Sequence, residues 1–247
     1  MLTIWSGSTR RRRRSLTYAA VWMLMASALI FFIAKYVFTK SSYIDSSKRQ
    51  ESAHIMWIIG AGKTLSWWLT EFRMTYGSYP DVETAKRFAE QTEGWPRQNG
   101  DTSNDYFRQL FASGIAKSEK PFHVKPPHPE DEPDGNTSGF EVLKAGEVEY
   151  GYVMNGNRAI SPDNPERVIL VAPLLQGGKA DEFDKTAMFG FAVLVCCDGR
   201  VLIRRISGDN KVQMPGGRGL LETGEGTMWG TDITPVIKLP MERCARP

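Results

Sequence analysis

Hydrophobic residues follow two different patterns in the first part of this chain. Residues 16–38 form an almost unbroken apolar run, which carries no charge between Leu16 and Ala34. About 20 apolar residues, at a rise of about 1.5 Å each, span the ~30 Å hydrocarbon layer of a membrane. The run therefore predicts a transmembrane helix, with membrane-anchoring residues Leu16, Trp22, Phe31 and Phe38.

The second pattern is a helical periodicity that begins after a polar, serine-rich stretch over residues 41–50. Hydrophobic residues recur every three or four positions until Gly77 and Pro80, which are typical of a helix end. We interpret residues 39–80 as a neck and an amphipathic helix. The helix presents a docking face composed of Ile55, Ile58, Ile59, Leu65, Leu69 and Phe72, and three tryptophans, Trp57, Trp67 and Trp68, widen its apolar surface.

Residues 81–247 predict a mixture of short helices and strands. Asp81 is placed to cap one helix, and a second helix is predicted from about Asn104 to Ser113. Residues 119–139 are rich in proline and acidic residues, which indicates an exposed loop. Runs of β-branched and aromatic residues predict strands over Glu147–Met154, Val168–Leu174, Phe189–Cys197 and Arg200–Ile206. Asp198-Gly199, between the last two strands, has the composition of a type I′ hairpin turn.

Together these patterns predict an α+β fold class. A long N-terminal membrane-spanning helix would continue into an amphipathic helix packed on a small antiparallel β-sheet domain. The predicted organisation is a basic cytoplasmic leader over 1–15, the transmembrane helix over 16–38, the neck and amphipathic helix over 39–80, and a soluble α+β domain over 81–247.

The distribution of charge gives this arrangement an orientation. Residues 1–50 contain nine basic residues and one acidic residue, a net charge of +8, so the total of +3 leaves −5 for residues 51–247. Five arginines precede the apolar run, and cytoplasmic flanks of membrane spans are enriched in positive charge. We expect a single-pass protein of the cell inner membrane, with its N-terminus in the cytoplasm and its C-terminal domain in the periplasm. The orienting residues are Arg10, Arg11, Arg12, Arg13 and Arg14.

Two other interpretations of the N-terminus are a cleaved signal peptide and a twin-arginine export signal. The apolar run is longer than a usual signal-peptide core, and no small-x-small cleavage site ends it. A DNA-binding arginine arm is disfavoured, because the adjacent span explains the arginines and the rest of the chain is acidic. We therefore expect no nucleic-acid partner. Whether the leader is cleaved stays open.

The motifs in the chain do not indicate an enzyme. The segment Gly60-Ala-Gly-Lys-Thr64 ends like a phosphate-binding loop, but position 57 is Trp where the motif needs glycine, so Gly60 and Gly62 are assigned to close helix packing. There is no nucleophile elbow, no His-Glu-x-x-His motif and no dinucleotide fingerprint. We expect no catalytic, cofactor-binding or metal-binding residues. Calcium binding by the acidic loop Glu130–Asp134 and the disulfide state of Cys196, Cys197 and Cys244 stay open.

The order of elements resembles the type IV pilin-like proteins, particularly the pseudopilins of type II secretion systems. The stretch Leu65–Pro80, LSWWLTEFRMTYGSYP, is similar to the family pattern in which an aromatic-rich helix ends in Tyr, a glycine turn and Tyr-Pro. Phe189–Val201, ending CCDGRV, is similar to the strand–Asp-Gly–strand hairpin of bacterial members. The leader differs from the family pattern: Arg14 stands directly before Ser15 where the family carries a cleavage glycine, and Ala19 stands where the family carries glutamate.

The resemblance implies a membrane-anchored structural subunit of a type II secretion or type IV pilus-like apparatus. Its expected partners are the lipid bilayer and other pilin-like subunits or secretion-system components, and no cofactor is implied. The alternative is a single-pass accessory or adaptor protein whose periplasmic domain binds envelope partners without a filament role. The sequence does not identify a secreted substrate.

Overall fold

The structure, a computed structural model, describes residues 51–124, 133–175 and 177–242, together with Met25, Phe32 and Lys35. The chain divides into two compact units, Met1–Ala53 and His54–Pro247. In the first unit the described residues are helical. The elements below belong to the second unit.

The predicted fold class and location need correction. The predicted span over residues 16–38 lies outside the described residues, apart from Met25, Phe32 and Lys35, and so do its anchors Leu16, Trp22, Phe31 and Phe38 and the arginines Arg10, Arg11, Arg12, Arg13 and Arg14. In the described part of the chain, no helix combines the length and the apolar character needed to cross a membrane.

This finding contradicts both the membrane-spanning helix of the predicted fold class and the single-pass inner-membrane location with a periplasmic domain. The described helix over residues 51–76 does not meet the requirement for a span, because Lys63, Glu71 and Arg73 interrupt its apolar residues. Hydrophobic residues therefore occupy part of its circumference instead of all of it. The structure supports an α+β arrangement of helices with a six-stranded antiparallel sheet.

The first helix, α1, occupies residues 54–76 of the second unit. It ends at Gly77, which has a φ of +89° and whose N–H donates to the carbonyl of Arg73 at 2.7 Å. Gly62 lies where α1 meets the sheet, since a Cβ there would be 3.2 Å from Val195 Cγ2 and 3.4 Å from Val201 Cγ2. Gly60 is exposed and has no such neighbour, so only Gly62 has the predicted packing role.

Two short helices follow, each with a capping box. Helix α2, Val82–Phe88, begins at Asp81, whose carboxylate accepts the N–H of Thr84 at 2.9 Å, which confirms the predicted cap. Helix α3, Ser103–Ala112, begins at Thr102. Phe88 of α2 contacts Phe72 of α1 with a ring separation of 6.0 Å. Phe107 of α3 contacts Phe122 with a ring separation of 5.2 Å.

Six antiparallel strands in the described part of the chain form one sheet. Three of them, β3, β4 and β5, fall within the predicted strands, β1 extends one residue beyond its predicted strand, and β2 and β6 were not predicted. The strands are β1 (Gly151–Asn155), β2 (Arg158–Ala159), β3 (Val168–Ala172), β4 (Phe191–Cys196), β5 (Val201–Arg205) and β6 (Pro235–Lys238). Their order is β2-β1-β3-β4-β5, and β6 pairs with β1.

The sheet is covered on both faces. Val195 and Val201 face α1, whereas Cys196 and Leu202 face the C-terminal segment around Trp229. Packing on this second face is close at Gly151 of β1, because a Cβ there would lie 2.4 Å from Leu174 Cδ1 and 2.6 Å from Ile237 Cγ2. The core therefore has two layers, one between α1 and the sheet and one on the opposite face of the sheet.

The hairpin between β4 and β5 differs from the predicted type I′ turn. A type I′ turn needs positive φ at both central residues, but only Gly199 has one, at +84°. The N–H of Gly199 donates to Cys196 O at 3.0 Å, and the N–H of Cys196 donates to Arg200 O at 2.9 Å. This pattern is a three-residue loop, residues 197–199, between the paired residues Cys196 and Arg200. Gly199, the last residue of the loop, has the left-handed conformation.

The predicted exposed loop over 119–139 is packed at its beginning. Residues 125–132 lie outside the described residues, but Glu119, Phe122 and Val124 are fully buried. Phe122 lies among Phe107, Phe111 and Trp68, with ring separations of 5.2 to 6.0 Å. The beginning of this proline-rich segment therefore belongs to the core.

Candidate functional site

The docking face predicted for α1 lies against the core along most of its length. Ile58, Leu65, Leu69 and Phe72 are buried, while Ile55 and Ile59, near the start of the helix, are half-buried. Trp68, which was assigned only to the apolar surface in general, is also on this face and contacts Phe122. The outer side of the helix is thus the side available for partners.

That outer side carries large hydrophobic residues in contact with solvent. Met56, Trp57, Trp67 and Met74 are all exposed, Trp67 by 67% and Met74 by 78%. Positions 56, 60, 63, 67, 71 and 74 are separated by three or four residues, so they lie along one stripe of the helix. We call this set, together with Trp57, the outer stripe of α1. Exposed apolar groups gathered on one element are typical of a protein–protein contact.

Two opposite charges lie within the outer stripe. Lys63 and Glu71 are both exposed, and neither makes an ion pair with another of the residues that the structure describes. They are eight residues apart, which corresponds to about 12 Å along the helix axis. At this distance they do not neutralise each other within one copy of the chain. Each charge remains available to a partner.

A buried polar network holds α3 in place behind this surface. Arg108 and Asp105 form an ion pair of 2.7 Å with side chains that are only 3% exposed. The Arg108 guanidinium also donates to the carbonyls of Arg97, Val142 and Leu143 at 2.8 to 3.2 Å. The network therefore fixes two chain segments, one at Arg97 and one at Val142 and Leu143, to one helix. Its partners are mostly backbone groups, so its role is structural.

Three carboxylates form the group that could hold a metal ion among the described residues. Oxygen atoms of Glu119, Asp134 and Glu147 lie within 4.8 Å of one another. Asp134 is already paired with the ammonium of Lys144 at 2.6 Å, and both oxygens of Glu119 accept backbone N–H groups, from Leu143 at 2.7 Å and Gly135 at 3.0 Å. These contacts explain why the three carboxylates lie close together, and they give the cluster a structural role. No sequence signal joined Glu119 and Glu147, because their spacing matches no ligand motif.

Glu119 is the most perturbed member of that cluster. Its burial raises the pKa of the carboxyl to about 7, and the neighbouring Glu147 and Asp134 act in the same direction. The N–H groups of Leu143 and Gly135 oppose the shift, since they stabilise the charged form. Glu119 therefore changes its protonation near neutral pH inside the domain.

The cysteines do not form a reactive site in the described part of the chain. Cys196 and Cys197 are free and buried, and burial raises the pKa of each thiol to about 11. The thiolate is the nucleophile and the metal ligand, so both side chains are unreactive at neutral pH. Cys244, the third cysteine in the open disulfide question, lies outside the described residues.

Comparisons with known proteins return no relative of this chain. No protein-family model, no curated protein and no solved structure matches it.

Proposed function

We propose that this chain is a pilin-like structural subunit, which assembles with other pilin-like subunits of a type II secretion or type IV pilus-like apparatus. The observation that carries this proposal is the two-sided character of α1. Its inner side packs on the antiparallel sheet, and its outer stripe holds Trp67 and Met74 in solvent. The resemblance of Leu65–Pro80 to the pseudopilin pattern supports the same assignment.

The charges in the outer stripe suggest how copies would contact one another. A neighbouring parallel helix displaced by seven to eight residues, about 12 Å, would bring its Lys63 opposite Glu71. The same displacement would place Trp67 beside the neighbour's Gly60, where a side chain is absent, and Met74 beside the neighbour's Trp67. Such a contact joins two different parts of the same surface, so it repeats from copy to copy and produces an open assembly.

A charge exchange in the full chain tests this arrangement. We expect Lys63→Glu to weaken self-association, measured by sedimentation and chemical cross-linking, because Glu71 would then face a like charge. The double variant Lys63→Glu/Glu71→Lys restores the opposite pairing and should recover the association. Lys86→Glu on α2 is the control, as Lys86 is exposed but lies away from the stripe. If the double variant is as weak as the single one, the proposed contact is incorrect.

The identity of the partners needs a second experiment. A photo-cross-linking amino acid at position 67, introduced in the cell that expresses the chain, should capture copies of this chain or other pilin-like subunits. The same group at position 86 should not. Capture of unrelated proteins alone at position 67 would refute the pilin-like assignment.

The alternative is an accessory or adaptor protein without a filament role. It is favoured by a different observation, namely an arginine-lined cavity on the face of the sheet opposite α1. In an adaptor, substitutions in that cavity would abolish partner binding, whereas the charge exchange in α1 would have no effect on it. The two functions therefore differ in whether substitutions on α1 or substitutions in the cavity weaken partner binding.

A further inference from the structure

A cavity of about 320 Å³ opens between the second face of the sheet and the C-terminal segment. Cys196, Leu202 and Arg204 line it from the sheet, and Met214, Arg218 and Trp229 line it from the segment. Trp229 is buried and its indole N–H donates to Leu220 O at 2.7 Å, so this wall is fixed. The volume is within the range of small-ligand sites and combines apolar walls with charged groups.

Two of the arginines in the cavity have donors to spare. Arg204 donates to the carbonyl of Ile203 at 3.2 Å, and Arg218 donates to the carbonyl of Glu225 at 3.4 Å. Neither has a carboxylate within 4 Å in the part of the chain that the structure describes. A guanidinium has five N–H donors, so most of them remain available in each case. The cavity therefore contains unpaired guanidinium donors, although the domain as a whole is acidic.

The third arginine, Arg200, is already neutralised. Its guanidinium pairs with Asp198 at 2.5 Å and with Glu166 at 3.5 Å. Glu222, the remaining acidic residue of the lining, accepts the N–H of Gly219 at 3.0 Å. Apart from the paired Arg200 and Glu166, the charged residues of the lining are Arg204, Arg218 and Glu222, so the net charge of the lining is positive.

The cavity lies at an open edge of the sheet. Strand β5 is last in the order, and among the described strands it pairs only with β4. Along an antiparallel strand, successive residues direct their N–H and C=O groups alternately toward the partner strand and away from it. Since Arg200 O and the N–H of Ile206 bond toward β4, the N–H and C=O of Val201 and Ile203 point to the open edge. All five residues of β5 are at least partly exposed, unlike the buried residues of β3.

We propose that the edge of β5 binds an extended segment of a partner protein, and that an acidic side chain of this segment enters the cavity to pair with Arg204 and Arg218. A strand added to β5 would place alternate side chains on the cavity face, one strand spacing of about 4.8 Å from Leu202 and Arg204. A carboxylate matches the planar donors of arginine, and apolar residues on either side of it match Leu202 and Met214. This site is separate from the outer stripe of α1.

Fluorescence anisotropy with the purified full chain tests the proposal. The probe is a labelled peptide of alternating valine and threonine with a single central glutamate, and the comparison peptide has glutamine at the centre. We expect the glutamate peptide to bind at least tenfold more tightly, which corresponds to about 1.4 kcal/mol. A third peptide, N-methylated at the amides that would pair with β5, should also lose at least tenfold.

Variants of the chain locate the contact. Arg204→Gln and Arg218→Gln should each remove the preference for glutamate over glutamine. Arg205→Gln is the matched control, because Arg205 alternates with Arg204 along β5 and points to the other face. Unfolding curves of the three variants establish that each is folded. Equal binding of the glutamate and glutamine peptides, or an equal loss with Arg205→Gln, would overturn the proposal. Binding of the N-methylated peptide at full strength would overturn the strand addition.

Discussion

The buried carboxyl of Glu119 makes the stability of the domain depend on pH. Glu119 is fully buried, and its pKa is raised from 4.5 to about 7 in the folded chain, chiefly by burial. Between these two values the folded state binds a proton that the unfolded state has released. The unfolding free energy therefore falls as pH rises from about 4.5 to 7, and this contribution is constant above that range. At about 1.4 kcal/mol for each pH unit, the loss is about 3 kcal/mol.

Urea denaturation followed by tryptophan fluorescence, at several pH values from 4.5 to 8, measures this effect. Other carboxylates also titrate in this range, so the informative quantity is the difference between the chain and its Glu119→Gln variant. The variant cannot ionise, and we expect its curve to lack the loss of about 3 kcal/mol. Replacement of the exposed Glu90 by Gln is the control and should keep the original slope. Parallel curves for the chain and Glu119→Gln would refute the assignment of a raised pKa to this carboxyl.

Three substitutions test the packing of the domain by denaturation. Gly151→Ala should cost about 1–3 kcal/mol, because the added methyl group overlaps atoms on the second face of the sheet; an unchanged midpoint would show that this face can relax. Arg108→Met should cost about 3–5 kcal/mol, since Asp105 would remain buried without its partner, and Arg108→Met/Asp105→Asn should be less destabilising than the single change. Asp81→Ala should cost about 0.5–2 kcal/mol through loss of the cap of α2, whereas Asp81→Asn should retain most of it.

Some of this fold could be predicted from the sequence because local patterns determine it. The spacing of Ile58, Leu65 and Leu69 is that of one helix face, and these residues are buried as a helix period requires. The cap at Asp81 is also predictable from local sequence, since a capping side chain accepts a hydrogen bond from a backbone N–H three residues away. The strands β3 and β4 follow from dense runs of β-branched residues.

The predictions that failed, and the features that were missed, depend on distant partners. Arg108 is a charged residue that local rules place in water, but two of its carbonyl acceptors, Val142 and Leu143, lie about 35 residues further along the chain. Phe122 is one aromatic residue in a proline-rich segment, and its burial depends on helices α1 and α3. The membrane span was predicted from the apolar run over residues 16–38 and its flanking charges, and no helix in the described part of the chain meets the requirement for a span. The outer stripe is the exception, since Trp67 and Met74 are seven residues apart and helical periodicity alone places them on one side of α1.

The pairing of β1 with β6 has a consequence for how the domain assembles. Asn155 lies opposite Pro235, so this ladder closes a loop of about 80 residues, whereas β4 and β5 are joined by a short hairpin. The entropy of loop closure rises with loop length, and long-range pairs therefore form late in folding. The C-terminal segment, which includes Trp229 and one wall of the arginine-lined cavity, lies inside that loop. The β4–β5 hairpin should form before the β1–β6 ladder, and the cavity should reach its final shape only after that ladder has closed.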